Sequence, residues 1–186
     1  MRRIFRDVVL PIAVALALAF VVQAAVAKPY EIPSASMYPT IKTSDRVIAN
    51  RLIYRFRDIE RGDIVVFHPP QSAVDTCGAE AGGTTPYIKR VIGLPGDTVE
   101  VVANGPTLVN GTPFTVEQAG PNPMQRGGVR SRSFKVPAGH LFVMGDNRPD
   151  SCDSHQWMPD PYVPISSVIG QAEVTYWPIT RWGFLD

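Results

Sequence analysis

Charge of one sign is what this sequence lacks most plainly: eighteen Lys and Arg stand against seventeen Asp and Glu, a formal net charge of +1 over 186 residues. No global field draws such a chain to nucleic acid, and that class of partner is set aside. Cysteine is almost absent. Cys77 and Cys152 are the only two, with neither zinc-ligand spacing nor a Cys-x-x-C redox motif, so no metal and no cofactor is expected. No internal repeat is visible, and beyond Tyr30 no stretch sustains the 3.6-residue period of an amphipathic helix. The length allows one membrane anchor and one globular domain that buries its core without many staples.

What the sequence does have begins with an uncharged run from Val8 to Ala27, in which Gln23 is the only strongly polar residue. Twenty helical residues at a rise of 1.5 Å reach about 30 Å, the thickness of a bilayer's hydrocarbon core. Arg2, Arg3 and Arg6 crowd the N-terminal flank, whereas Lys28 and Glu31 follow the run. The positive-inside rule then leaves residues 1–7 as a cytoplasmic stub, 8–27 as a single transmembrane helix and 28–186 as an extracytoplasmic domain. A cleaved secretory signal peptide fits the same features, since Ala25, Val26 and Ala27 satisfy a cleavage pattern. The apolar run exceeds the usual length of such a peptide, and Pro11 is tolerated near a helix start, which favours a retained anchor in a cell membrane.

After Tyr30, short β-branched or aromatic runs are punctuated by Gly, Pro and Asn, the pattern of a mostly β, antiparallel domain. Strands are expected at Arg46–Ala49, Asp63–Phe67, Tyr87–Ile92, Thr98–Val102, His140–Met144 and Gly170–Trp177. Asn110-Gly111, between Thr107–Val109 and Thr112–Phe114, is a two-residue hairpin signal because both residues tolerate positive φ. Gln118–Ser133, rich in Gly, Pro and Arg, is expected to be a surface loop. Eighteen prolines suit turns and edge strands better than helices.

Three segments could carry chemistry. Ser34 and Ser36, bracketed by Pro33 and Pro39 a few residues beyond the apolar run, could present one hydroxyl as attacker and the other as an oxyanion donor; a Ser-rich linker turn has the same composition. Lys89 sits inside Tyr87–Ile92, which otherwise reads as a buried strand. Desolvation lowers a lysine's pKa until the neutral amine can take a proton from a serine. The alternative is a lysine that snorkels to water, as Arg90 beside it is expected to do. Gly145 to His155 is dense in carboxylates and hydroxyls, fitting a loop that positions other groups or an ordinary polar turn.

Together these segments resemble the bacterial type I signal peptidases, membrane serine proteases with a Ser-Lys dyad. The resemblance is carried by Pro33-Ser34-x-Ser36-Met37-x-Pro39-Thr40, Arg61-Gly62-Asp63-x-Val65-Val66-Phe67, Tyr87-Ile88-Lys89-Arg90 with Gly93-Leu94-Pro95-Gly96-Asp97, and Gly145-Asp146-Asn147-Arg148 through Asp153-Ser154. It implies that Ser36 is the nucleophile and Lys89 its base, that Ser34 serves the oxyanion hole and that Ser151 orients the lysine amine. Asp146, Arg148 and Asp153 would support them. The implied substrates are the signal peptides of preproteins, cut after small residues in an Ala-x-Ala pattern at the surface of a lipid bilayer. Ile32, Met37, Ile41, Tyr87 and Ile88 would line the pocket for the residue before the cut, and Tyr30, Val66 and Ile88 that for the third. Three positions depart from the family: His155 stands where arginine is usual, Met158 where glycine follows the tryptophan, and Pro149 where an acidic residue is usual.

On that topology Cys77 and Cys152 lie together in an oxidising compartment and flank residues that function would bring together. Either a disulfide or two free thiols is compatible with this. Tyr176, Trp177, Trp182 and Phe184 are expected near the membrane surface, where an apolar ring with a polar N–H is favoured, or else packed in the core. Competing readings are a Ser-His-Asp hydrolase using His68 or His140, a repressor-type Ser-Lys autoprotease, and a secreted, non-catalytic β-rich binding domain. The first lacks a triad motif around either histidine and the second lacks a DNA-binding module.

Overall fold

The computed structural model describes residues 8–15, 26–78, 85–116, 119, 122 and 131–185. Residues 8–15 are helical, but the expected span over 8–27 falls largely on residues outside the described ones. Among the described residues no helix is long and apolar enough to cross a membrane.

Two antiparallel sheets make up the rest. The larger contains β1 (Ala27–Glu31), β2 (Arg46–Asn50), β3 (Ile64–Phe67), β4 (Tyr87–Gly93), β9 (His140–Met144), β10 (Val163–Pro164), β11 (Val168–Trp177) and β12 (Gly183–Phe184). Its order is β1-β2-β11-β3-β4-β9-β10, with β12 also on β11. The smaller contains β5 (Thr98–Val102), β6 (Thr107–Val109), β7 (Thr112–Phe114) and β8 (Ser131–Lys135), in the order β7-β6-β5-β8. All six expected strands are present to within two residues. The Asn110-Gly111 turn has positive φ at both residues, 52° and 80°, as a type I′ hairpin requires.

Some elements escaped the sequence reading. β8 lies partly inside the expected loop of 118–133, because Phe134 and its neighbours pair with β5 along its whole length. Gln71–Cys77 forms a short helix where the wording suggested only a loop, since Ser72 and Ala73 find burial there. β1 is a polar-looking edge strand whose register on β2 runs from Ala27↔Asn50 to Glu31↔Arg46.

Three apolar clusters fill the domain. The first joins Ile32, Met37, Ile41, Val66 and Ile88 with β2 and β11. The second packs Val65, Phe67, Val91 and Val143 around Trp157. The third joins β5, β6 and β8 to Ile92, Phe142 and Met144, which ties the small sheet to β4 and β9. Gly93 is required there by space: a Cβ on it would lie 2.6 Å from Val99 and 3.2 Å from Phe142. β4 is therefore covered on both faces, as its unbroken burial from Ile88 to Gly93 records.

Cys77 and Cys152, 75 positions apart in sequence, are joined by a disulfide with Cα atoms 5.9 Å apart. It fastens the helix Gln71–Cys77 to the loop after β9. On the loop-entropy model such a closure stabilises by about 4 kcal/mol. The double variant Cys77→Ala/Cys152→Ala is expected to lose roughly that much unfolding free energy in urea, and unreduced wild type to match it once reductant is added. Unchanged midpoints would refute the contribution.

Candidate active site

Ser36 lies in the turn after β1, and Lys89 lies in the middle of β4, opposite Val65 of β3. Nζ of Lys89 is 2.6 Å from Oγ of Ser36. The contact serves either sense, an ammonium donating to Oγ or a neutral amine accepting its proton. Ser34 Oγ donates to Ser36 Oγ at 3.3 Å. Neither histidine considered as a rival base bonds to Ser36: the His140 ring meets the Ala138 carbonyl at 2.9 Å, and His68 follows the end of β3.

The serine turn is held from the loop after β9. Asn147 N–H donates to Ser36 O at 3.1 Å, and Asn147 Nδ2 to Ala35 O at 3.0 Å. Thr40 Oγ1 donates to Asp146 Oδ2 at 2.6 Å. Asp146 in turn takes two bonds from Arg90, 2.8 Å from Nε and 2.7 Å from Nη2. Arg90 does not stay solvated, as had been expected. Its side chain is 2 % exposed, because the third cluster covers the β4 face that would otherwise be open, and Gly62 O accepts from its Nη1 at 2.8 Å. Arg90, Thr40 and Asn147 were missed as site residues. The signal available for Arg90 was its setting, with Tyr87-Ile88 before and Val91-Ile92-Gly93 after the Lys89-Arg90 pair, since apolar residues at both odd and even positions mark a strand buried on both faces.

Arg148 is buried as well. Its Nε donates to Gly145 O at 3.0 Å, and its Nη1 to Thr107 Oγ1 at 2.8 Å and Asn122 Oδ1 at 3.0 Å. It thus connects the catalytic loop to the small sheet. Gly145 admits no side chain: a Cβ would lie 2.2 Å from Ser151 Oγ and 2.3 Å from Ser36 O.

Asp153 accepts from Gly145 N–H at 2.9 Å and from His155 Nδ1. On its other side the His155 ring meets Gln156, whose Nε2 donates to Ser151 O at 3.1 Å and lies 3.2 Å from His155 Nε2. An imidazole thus stands against the Asp153 carboxylate where the family's arginine would. Burial alone would raise the Asp153 pKa, but His155, the Gly145 N–H and the Ser151 hydroxyl more than offset it and hold the carboxyl below its usual range. The Ser151 hydroxyl, though close enough to act on Asp153, is buried without a hydrogen bond of ordinary geometry and makes none to Lys89.

Of the residues expected to line the substrate pockets, Tyr30, Ile32, Met37, Ile41, Val66 and Ile88 share one cluster. Tyr87 packs in another, against Phe67 and Trp157 with ring centroids 6.2 and 6.5 Å away, and borders the site through Lys89, whose Nζ lies 5.9 Å from the centre of its ring.

The family model described as signal peptidase, peptidase S26, matches residues 5–177. The chain belongs to this family. It is a serine endopeptidase of the signal peptidase type, and the reading as a non-catalytic binding domain falls. A signal peptidase I of Leptolyngbya laminosa is 40% identical over 174 residues, covering 94% of this chain and 80% of that one. A probable signal peptidase I-1 of Synechocystis is 41% identical over 172 residues, covering 92% and 82%. The solved structure of a signal peptidase I from Enterococcus faecalis is 27% identical with a TM-score of 0.46, covering 62% of this chain and 97% of that one.

What the contact with Ser36 can do depends on the charge on Lys89. Desolvation lowers its pKa from 10.5 to about 8, against the opposing fields of Asp153 and Asp146. At pH 7 that raises the neutral fraction roughly three-hundredfold. If Lys89 is the base, only its neutral amine acts, and kcat/KM is expected to climb with pH and level off above about 8; a flat profile from pH 6 to 9 would contradict this. Stability carries the matching sign. The folded pKa lies below the unfolded one, so the charged lysine costs stability below about pH 8, and the cost fades as pH rises toward 10.5. Lys89→Met should abolish turnover while leaving stability at pH 6 unchanged or raised, by about 3 kcal/mol at most. Urea titrations at pH 6 and 10 measure the difference, which should shrink at the higher pH.

Proposed function

We propose that this chain removes signal peptides with Ser36 as nucleophile and Lys89 as general base, at the extracytoplasmic surface of the membrane that its N-terminal segment spans. The observation that carries the dyad is the 2.6 Å contact between Lys89 Nζ and Ser36 Oγ at a lysine that is 5 % exposed.

Ser36 Oγ attacks the scissile carbonyl carbon and its proton passes to Lys89 Nζ. The Ser36 N–H and the Ser34 hydroxyl face the oxyanion. The C–N bond then breaks, the amine of the mature protein leaves with the proton from Lys89, and an ester to Ser36 remains. Water gives a proton to the neutral lysine and attacks the ester, releasing the signal peptide's carboxylate. Asp146, Arg148 and Asp153 fix the loop against which the dyad is set, and Ser151 orients the amine by a bond that forms when the lysine turns toward substrate. The small side chains of an Ala-x-Ala site are read against the cluster of Ile32, Met37, Ile41, Val66 and Ile88, with Tyr30 at its rim.

Membrane contact has its own support. Trp177, Ile179, Trp182 and Phe184 are 48, 75, 62 and 74 % exposed, and Trp182 packs edge-on against Phe184 at 6.0 Å. Such a patch favours a bilayer interface. Trp177 is in register with Arg46 and so with Glu31, four residues from Ala27 along β1, a separation of about 13 Å. Both ends meet one bilayer when these strands lie along its surface.

Incubation of the full chain in detergent with a preprotein should release a product whose N-terminus follows an Ala-x-Ala site. Ser36→Ala and Lys89→Ala should each remove the activity, and the double variant should be no slower than either, because the two act as one unit. Turnover by Lys89→Ala within tenfold of wild type would refute the dyad. In vesicles of brominated lipid, fluorescence of Trp177 and Trp182 should be quenched while that of the buried Trp157 is spared; equal quenching of Trp177/Trp182→Phe and wild type would refute the docking.

A further inference from the structure

β1 ends the larger sheet. It pairs with β2 on one side, and among the described residues no strand lies on the other. Ile32 N–H donates to Asp45 O, Ser44 N–H to Ile32 O and Arg51 N–H to Val26 O. Even-numbered residues therefore point their backbone groups at β2, and by the alternation of a strand Ala27, Pro29 and Glu31 point theirs at the open edge. Pro29, which has no N–H, stands on that side, as an edge tolerates. An extended peptide can add to this edge.

Side chains alternate in the same way, so Lys28, Tyr30 and Ile32 share a face. Lys28 Nζ lies 5.2 Å from the centre of the Tyr30 ring. With Ile32 beside the residue before the cut and Tyr30 beside the third, a substrate strand parallel to β1 brings its fifth residue beside Lys28. A cavity of about 430 Å³ opens there, at the end of the sheet where β1 begins. Lys28, Arg51, His68, Ser166 and Ser167 are among its walls, and among the described residues no carboxylate is. Tyr30 and Ile169 line it too and also pack on the cluster of Ile32, Val66 and Ile88, so the cavity continues the groove of the proposed pockets. The Ile165–Ser167 turn and the residue after β3 bring in groups from strands far apart in sequence.

We infer that this cavity is a further substrate subsite, which takes an acidic side chain at the fifth residue before the cut, with Lys28 and Arg51 as specificity-determining residues. It rests on Ser36 and Lys89 being the dyad and on the parallel register that follows from the pockets. The charges are exposed, so their effect is modest and salt-screened.

The test uses the full chain in neutral detergent and three otherwise identical peptides with an Ala-x-Ala site and Glu, Gln or Lys five residues before the cut. At low salt kcat/KM should fall in the order Glu, Gln, Lys, with about a tenfold span between the extremes. The span should contract in 0.5 M salt. Lys28→Glu/Arg51→Glu should invert the order. Equal cleavage of the three peptides, or an order unmoved by the double substitution, overturns the subsite and leaves the peptidase intact. Cleavage of none overturns both. An order unmoved while the double variant loses binding to anionic lipid vesicles also overturns it, and gives the basic cavity to a lipid headgroup instead.

Discussion

The buried pair between Arg90 and Asp146 is the contact on which the site depends. Arg90 is the neighbour of Lys89 on β4, and Asp146 opens the loop that carries Asn147, Arg148, Ser151 and Asp153. Thr40, four residues past Ser36, completes the junction by donating to the same carboxylate. One carboxylate thus fixes the relative positions of three segments that meet nowhere in sequence. An ion pair this deep gains little net stability, because desolvation of both partners offsets their attraction, but removal of either strands the other without solvent. Its value is registry: strand alternation points Lys89 to one face because Arg90 is locked to the other.

The charges around Lys89 are arranged to a different end. Arg90 pairs with Asp146, Arg148 is committed to Gly145 O, Thr107 and Asn122, and Asp153 is met by His155 and the Gly145 N–H. The carboxylates of Asp153 and Asp146 favour the charged lysine, so its lowered pKa is the work of burial, which more than offsets them.

Much of this was legible in the sequence because it is local. Short β-branched and aromatic runs between Gly, Pro and Asn marked the central strands, Asn110-Gly111 marked its hairpin, and the serine and lysine boxes were readable as words. What was not legible came from elements meeting at a distance. The burial of Arg90 required knowing that the small sheet packs over the second face of β4. β8 is half hidden in a polar, Gly-rich stretch, and only pairing with β5 makes Ser131–Lys135 a strand. Tyr87 lies outside the cluster of Ile88 because strand alternation puts it on the face of Lys89, where its ring meets both Trp157 and the lysine amine.

The disulfide gives the fold a dependence on place. Cys152 immediately follows Ser151 and immediately precedes Asp153, so the cross-link to Cys77 restrains the segment that faces the lysine. Thiols stay reduced in the cytosol and couple only where oxidants prevail. On the proposed topology, a newly made chain still on the reducing side has this brace unfastened, and oxidation in the destination compartment closes it. Bracing of the site and delivery across the membrane are then a single event.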